Sequence, residues 1–234
     1  MKLAYIIGNG IRSPEQLEHV AWVKKNSPHD IQTFAMSSAI KTMDSWPFYP
    51  DFYLDLETPV SENWEDLIWF YDLVVKITKI PVFLPKWVNQ RLKDPPPNII
   101  FKEIVPWDFL YKGYNPPDGV VRFNDTGQNA ISLALNMGFD HIVLIGMTAW
   151  MSKEEFYRRY EGSYEKRLRQ YGLGWKRVRL WTDLAFGKET LILNASTDTR
   201  IKCLPEIKLD EAIQILEGKL PCPKIEKHEY VDTL

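Results

Sequence analysis

A chain of 234 residues with 45% hydrophobic and 26% charged side chains can fill one medium core, whereas two full domains would be cramped. A formal net charge of −2 and an isoelectric point near 6.1 exclude a global electrostatic footprint for nucleic acid or for an anionic membrane. Only a local basic patch could supply one.

From the amino terminus, Leu3 to Ile7 is a short apolar run closed by Gly8, the pattern of a buried strand. Pro14 to Lys25 follows as a helix, with Ser13 at the N-cap, Pro14 at the first helical position, and Leu17, Val20 and Ala21 at helical spacing. Ile31 to Met36 and Asp51 to Leu56 are expected as the second and third strands. Asn63 to Thr78 is a helix whose early acids (Glu62, Glu65, Asp66) and late lysines (Lys76, Lys79) complement its dipole.

Pro81 to Leu84 and Asn98 to Lys102 are short strands, separated by the rigid break Asp94-Pro95-Pro96-Pro97. Residues 105 to 121 read as a long loop rich in Pro and Gly, and long loops in compact domains tend to be functional. Asp125 or Thr126 then caps a helix with Ala130, Ile131, Ala134, Leu135 and Met137 on its buried side, stopped by Gly138. His141 to Gly146 is a central strand. Ser152 to Gln170 is a charged helical segment, Thr190 to Asn194 a last core strand, and Leu209 to Leu216 a short helix before an extended end. Alternating strands and helices predict an α/β, Rossmann-like fold: a mostly parallel sheet flanked by helices, with a helical or loop insertion near residues 150–182. The expected organisation is a single nucleotide-binding domain over 1–205, with a lid-like basic and aromatic insertion at 147–189, then a helix and tail over 206–234.

Cys203 and Cys222 are too few and too far apart for a disulfide framework or a zinc site, and read as reduced thiols. Met1 to Ile7 is too short for a signal-peptide core, and no stretch approaches the roughly 20 apolar residues that span a bilayer. The expected location is cytoplasmic, with no transmembrane segment and with the Asn194-Ala195-Ser196 sequon unmodified. The four histidines show no metal-ligand spacing and no nucleophile-elbow setting, which disfavours a zinc enzyme or a hydrolase triad.

Three places could carry chemistry. Gly8-Asn9-Gly10, at the end of the first strand, permits a sharp turn and close approach to a phosphate, although Ser13 stands where the full dinucleotide fingerprint needs a third glycine. A tight turn without ligand fits the same spacing. Asp55-Leu56-Glu57 ends the third strand, and alternation puts Asp55 and Glu57 on one side, able to share magnesium bound to a nucleotide diphosphate or to remain solvated strand-end acids. Asn124-Asp125-Thr126-Gly127 opens a helix whose amides and Thr126 hydroxyl suit an anion. In addition, residues 153 to 179 mix nine basic side chains with Tyr157, Tyr160, Tyr164, Tyr171 and Trp175, a composition for clamping phosphate and stacking on a base, or for a solvated helix face.

Ile6-Ile7-Gly8-Asn9-Gly10 resembles the opening of bacterial sialyltransferases that use CMP-sialic acid, and of the related MptE-like hydroxymethylpterin diphosphokinase and motility-associated-factor proteins. Thr126-Gly127 with Ile131 to Gly146 is similar to the same superfamily's Ser/Thr-Gly helix start and following strand. Tyr49 to Asp55 and Leu193 to Ser196 are similar to its third and late strands. The resemblance covers about residues 3 to 205. It implies a nucleotide or nucleotide-sugar ligand bound at Gly8, Asn9, Gly10, Thr126 and Gly127. Ser37 or Ser38 stands at the position of the strand-two Asn, and Asn124, Gly146, Tyr157, Arg158 and Tyr160 complete the expected donor site.

Residues 147 to 227 contain no His where the sialyltransferases carry their general base. The proton acceptor is then expected to be an acid, Asp55 or Asp183, or else a Tyr. The leading expectation is a nucleotide-sugar-dependent glycosyltransferase. Its alternatives are a magnesium- and ATP-dependent diphosphate or phosphoryl transferase, with Asp55 and Glu57 on the metal, and an inactive nucleotide-binding or interaction module. Nucleic acid is disfavoured as a partner; self-association into a homo-oligomer is compatible with the sequence.

Overall fold

The computed structural model describes residues 1–8, 10, 14–56, 71–90, 92–106, 119–123, 125–147 and 163–225. Its described strands are β1 (Lys2–Ile7), β2 (Asp30–Met36), β3 (Phe52–Leu54), β4 (Val82–Pro85), β5 (Ile99–Pro106), β6 (Gly119–Arg122), β7 (His141–Ile145) and β8 (Ile192–Asn194). They form one eight-stranded sheet in the order β6-β5-β4-β3-β2-β1-β7-β8, parallel at every junction. The α/β, Rossmann-like reading is thus the observed fold.

Both faces of the sheet are covered, which is why the strands read as unbroken apolar runs. On β1, Ala4 and Ile6 point to one core, while Leu3 and Tyr5 point to the other. The first face receives α2 (Thr126–Asn136) and α3 (Tyr164–Ala185) through Ile131, Ala134, Trp175, Val178 and Trp181. The second receives α1 (Pro14–Asn26) through Val20 and Val23, and α4 (Ala212–Leu216) through Ala212. Helical residues 71–74 pack there too, with Tyr71 and Val74 against Tyr53 and Leu84.

Two expected elements differ. The long loop over 105–121 is entered by β5, which runs to Pro106, and left by β6, which pairs with it from Glu103↔Gly119 to Pro106↔Arg122. The charged segment expected to end at Gln170 is a helix to Ala185, and residues 164–185 lie in the connection between β7 and β8. Burial of Trp175, Val178, Trp181 and Thr182 along one side holds this helix through Gly172 and Gly174. Downstream, Glu206 forms a parallel bridge to Asn194, which ties the carboxy-terminal region to the sheet edge. Among the described residues, no helix is long and apolar enough to cross a membrane.

Candidate functional site

The strand order advances from β1 to β6 on one side, then restarts with β7 on the other side of β1. Helices leaving neighbouring strands on opposite faces open a crevice at such a reversal, beyond the carboxyl ends of the strands. Here it lies between β1 and β7. Gly8 and Gly10 follow β1, and Gly146 follows β7 with a φ of 67°, a left-handed turn that glycine adopts without strain.

The glycine turn is stitched to β7. The Gly8 amide donates to the Ile145 carbonyl at 2.8 Å, and the Gly10 amide to the Gly146 carbonyl at 2.9 Å. Those two donors are therefore engaged within the protein. A Cβ on Gly8 would stand 2.7 Å from the Gly146 carbonyl oxygen and 3.0 Å from the Met147 sulfur. Glycine at position 8 is thus required by the approach of two backbones, whether or not a phosphate binds.

The helix α2 begins on the same rim. Asp125 is its N-cap, with Oδ1 accepting from the Gln128 amide at 2.8 Å; of the two capping residues read from the sequence, Asp125 is the one used. Thr126, 2% exposed, donates its hydroxyl to Asp55 Oδ1 at 3.4 Å, and Asp55 itself is 9% exposed just beyond β3. One turn along, the buried Asn129 donates from Nδ2 to the Leu56 carbonyl and accepts at Oδ1 from the Phe123 amide, both at 2.7 Å. This one amide side chain ties the exits of β3 and β6 to the start of α2.

The segment after β7 is anchored from β8. Met147 donates its amide to Ser196 Oγ at 2.8 Å, and its carbonyl accepts from Thr199 Oγ1 at 2.9 Å. Thr199 in turn accepts from Asn194 Nδ2 and from the Ile201 amide, so its hydroxyl is fully used. All five residues are buried, and in that setting a satisfied polar network specifies a single arrangement.

The structure brings Gly8, Gly10, Asp55, Thr126, Gly127 and Gly146 to this rim, across β1, β3, β7 and the start of α2. Ser37 joins them at the end of β2; it holds a φ of 48°, and its carbonyl accepts from the Tyr53 hydroxyl at 2.7 Å. A left-handed serine is uncommon, and such strain often sits beside functional crevices. Ser38 continues the 3-10 turn Ser37–Lys41.

Asp183 is not brought to this rim. It lies in the last turn of α3, which leads to the amino-terminal end of β8, where Leu191 meets His141; its partner is Arg179 at 2.7 Å. Asn9, Glu57, Asn124, Tyr157, Arg158 and Tyr160 lie outside the described residues.

Sequence reasoning singled out neither Asn129 nor Met147, nor the Ser196 and Thr199 hydroxyls as anchors. The one available signal was a polar residue, Asn129, among the apolar positions of a buried helix. Among the described residues, no group of three or more His, Cys, Asp or Glu gathers that could hold a metal.

No family model matches the chain, and no curated protein matches it. Among solved structures, the chain is similar to the MAf glycosyltransferase from Magnetospirillum magneticum AMB-1, with 13% identity and a TM-score of 0.55. The alignment covers 89% of this chain and 34% of that one, so the chain spans about a third of that protein's length. The likeness is one of fold, and it agrees at that level with the resemblance read from the motifs.

Proposed function

We propose that this chain binds a nucleotide sugar in the crevice between β1 and β7 and acts as a glycosyltransferase-like domain. One observation carries the reading: residues far apart in sequence, Gly8, Asp55, Thr126, Gly127 and Gly146, converge at the sheet's reversal point. The fold shared with a named glycosyltransferase supports it. The donor phosphate meets the first turn of α2, where the helix dipole favours an anion and the Thr126 hydroxyl turns from Asp55 to donate to it. Because the amides of Gly8 and Gly10 are engaged by β7, the glycine turn contributes close approach more than hydrogen bonds.

In this proposal Asp55 accepts the proton of the acceptor hydroxyl as its oxygen bonds to the anomeric carbon. The bond from that carbon to the phosphate oxygen breaks, and the nucleotide leaves with the electron pair. The near-complete burial of Asp55 and its contact with Thr126 support this assignment.

The test is a calorimetric and thermal-shift panel of CMP, UDP, GDP and ATP with their sugar conjugates, with and without magnesium. The proposal expects a metal-independent response to a nucleotide sugar, at least tenfold weaker in Thr126→Val. A response confined to ATP with magnesium would favour phosphoryl transfer by Asp55 with Glu57. Silence across the panel would remove both chemistries and leave the interaction-module reading.

A further inference from the structure

Met147 occupies the space between the two glycines of the crevice. Its sulfur lies 3.0 Å from where a Cβ on Gly8 would stand, and 3.2 Å from the same point on Gly127; its Cε is 3.4 Å from the latter. The side chain is almost wholly buried. It therefore packs against the turn after β1 and the start of α2 at once, and a side chain on either glycine would force it to shift.

The main chain of Met147 cannot drift to relax this packing. Gly146 turns the backbone into the left-handed region, and the amide and carbonyl of Met147 are held by Ser196 and Thr199 from the far side. With the backbone pinned by the loop after β8, the side chain must project toward α2 and β1. A flexible thioether of this length suits the task, since it can adapt as it threads between the two backbones.

We infer that Met147 is the positioning residue of the crevice: its side chain is the spacer that sets the gap between the Gly8 turn and the Thr126-Gly127 helix start. This rests on the reading that a nucleotide binds there. Met147 acts through its neighbours, because the backbone of Gly8 lies on one side of it and the donor-facing turn of α2 on the other. The Gly146 carbonyl, with Met147 behind it, accounts for glycine at position 8 without requiring that it touch a phosphate, and Met147 and Asp125 together crowd position 127.

The consequence is a specific coupling. Shortening the side chain lets the two walls approach and misplaces the Thr126 hydroxyl and the first-turn amides relative to the ligand. A side chain of similar length and volume keeps the gap, with or without sulfur. Gly127→Ala is crowded by Met147 and, equally closely at 3.2 Å, by Asp125 Oδ1, so the part of its effect that comes from Met147 should disappear when Met147 is shortened.

Five proteins are compared: wild type, Met147→Leu, Met147→Ala, Gly127→Ala, and Met147→Ala combined with Gly127→Ala. The dissociation constants of CMP and UDP, and of their sugar conjugates, are measured beside the melting temperature without ligand. Met147→Ala should bind at least fivefold more weakly than wild type, while Met147→Leu stays within twofold. Adding Gly127→Ala to Met147→Ala should recover part of the loss, whereas Gly127→Ala alone weakens binding.

If Met147→Ala does not fold, Met147→Val takes its place. Binding unchanged in the shortened variant, whatever its melting temperature, would make Met147 a packing residue only and overturn the inference while the function stands. Equal loss in Met147→Leu and Met147→Ala would also overturn it, since length alone would then not restore binding. A wild type that binds none of these ligands removes the proposed function and this inference together.

Discussion

The carbonyl oxygen of Gly146 lies 2.7 Å from where a Cβ on Gly8 would stand. That oxygen already accepts from the Gly10 amide, so it belongs to the ladder that joins the two strand ends and has little room to retreat. Two glycines separated widely in sequence thus form one joint, and the crevice opens directly beyond it.

Gly8→Ala therefore meets backbone, which yields less than a side chain. The expected loss is about 2–3 kcal/mol, at the upper end of what overpacking costs. Gly138→Ala provides the contrast: nothing lies within 4 Å of its Cβ position, but its φ of 81° strains an L residue by about 1 kcal/mol. Urea unfolding of both variants measures the difference. A smaller loss at Gly8 than at Gly138 would mean that β1 and β7 slide apart readily.

Asn129→Ala should be among the most damaging polar-to-alanine changes in the molecule. It strands the Leu56 carbonyl and the Phe123 amide, both buried by the same helix, and an unpaired buried group costs about 1–3 kcal/mol. Asn129→Asp keeps the acceptor for Phe123 and loses the donor to Leu56, so its effect reports on one end of the tie. Hydrogen exchange at Phe123 distinguishes them: protection persists in Asp and is lost in Ala. Equal protection in both would show that Phe123 is held by other contacts.

How far these features were legible depends on whether their cause is local. Gly8 and Gly146 stand out because each ends an apolar run, and a run closed by glycine is a local pattern. The cap at Asp125 is equally local, being a short polar side chain ahead of a helical period. Asn129 and Met147 owe their roles to partners at Leu56, Phe123, Gly8 and Ser196, which no window along the chain contains. Strand β6 escaped notice because four residues emerging from a Pro- and Gly-rich stretch show no periodicity of their own. In α3 the local signal misled, since Gly172 and Gly174 suggest a break where the buried tryptophans hold the helix.

His141 makes stability depend on pH at the opposite end of the sheet. Its Nδ1 accepts from the Leu191 amide at 3.1 Å, which requires that nitrogen to be unprotonated. Burial holds its pKa below the usual 6.5, assisted by the positive amino terminus and opposed by Asp140. The neutral ring is thus favoured in the folded state, and its stabilisation is present above pH 6.5 and lost as the pH falls through the folded value. His141→Asn offers an acceptor that does not titrate. Between pH 7.5 and 5.5 the wild type should lose more unfolding free energy than this variant, and parallel losses would remove His141 from the account.

Tyr5 presents the reverse case, a polar group that the fold does without. Its ring fills the core between β1, α1 and α4, and its hydroxyl has no hydrogen-bond partner among the described residues. Burial pushes its phenol well above the ordinary value, since a phenolate there would have neither water nor a donor. Removing an unsatisfied buried hydroxyl while keeping the ring avoids its desolvation cost, which for an unbonded polar group is about 1–3 kcal/mol. Tyr5→Phe should therefore leave stability unchanged or raise it, by up to about 1–2 kcal/mol. The comparison is made by urea unfolding at neutral pH, where the native phenol is neutral. A loss of more than about 1 kcal/mol would show that an ordered water satisfies the hydroxyl.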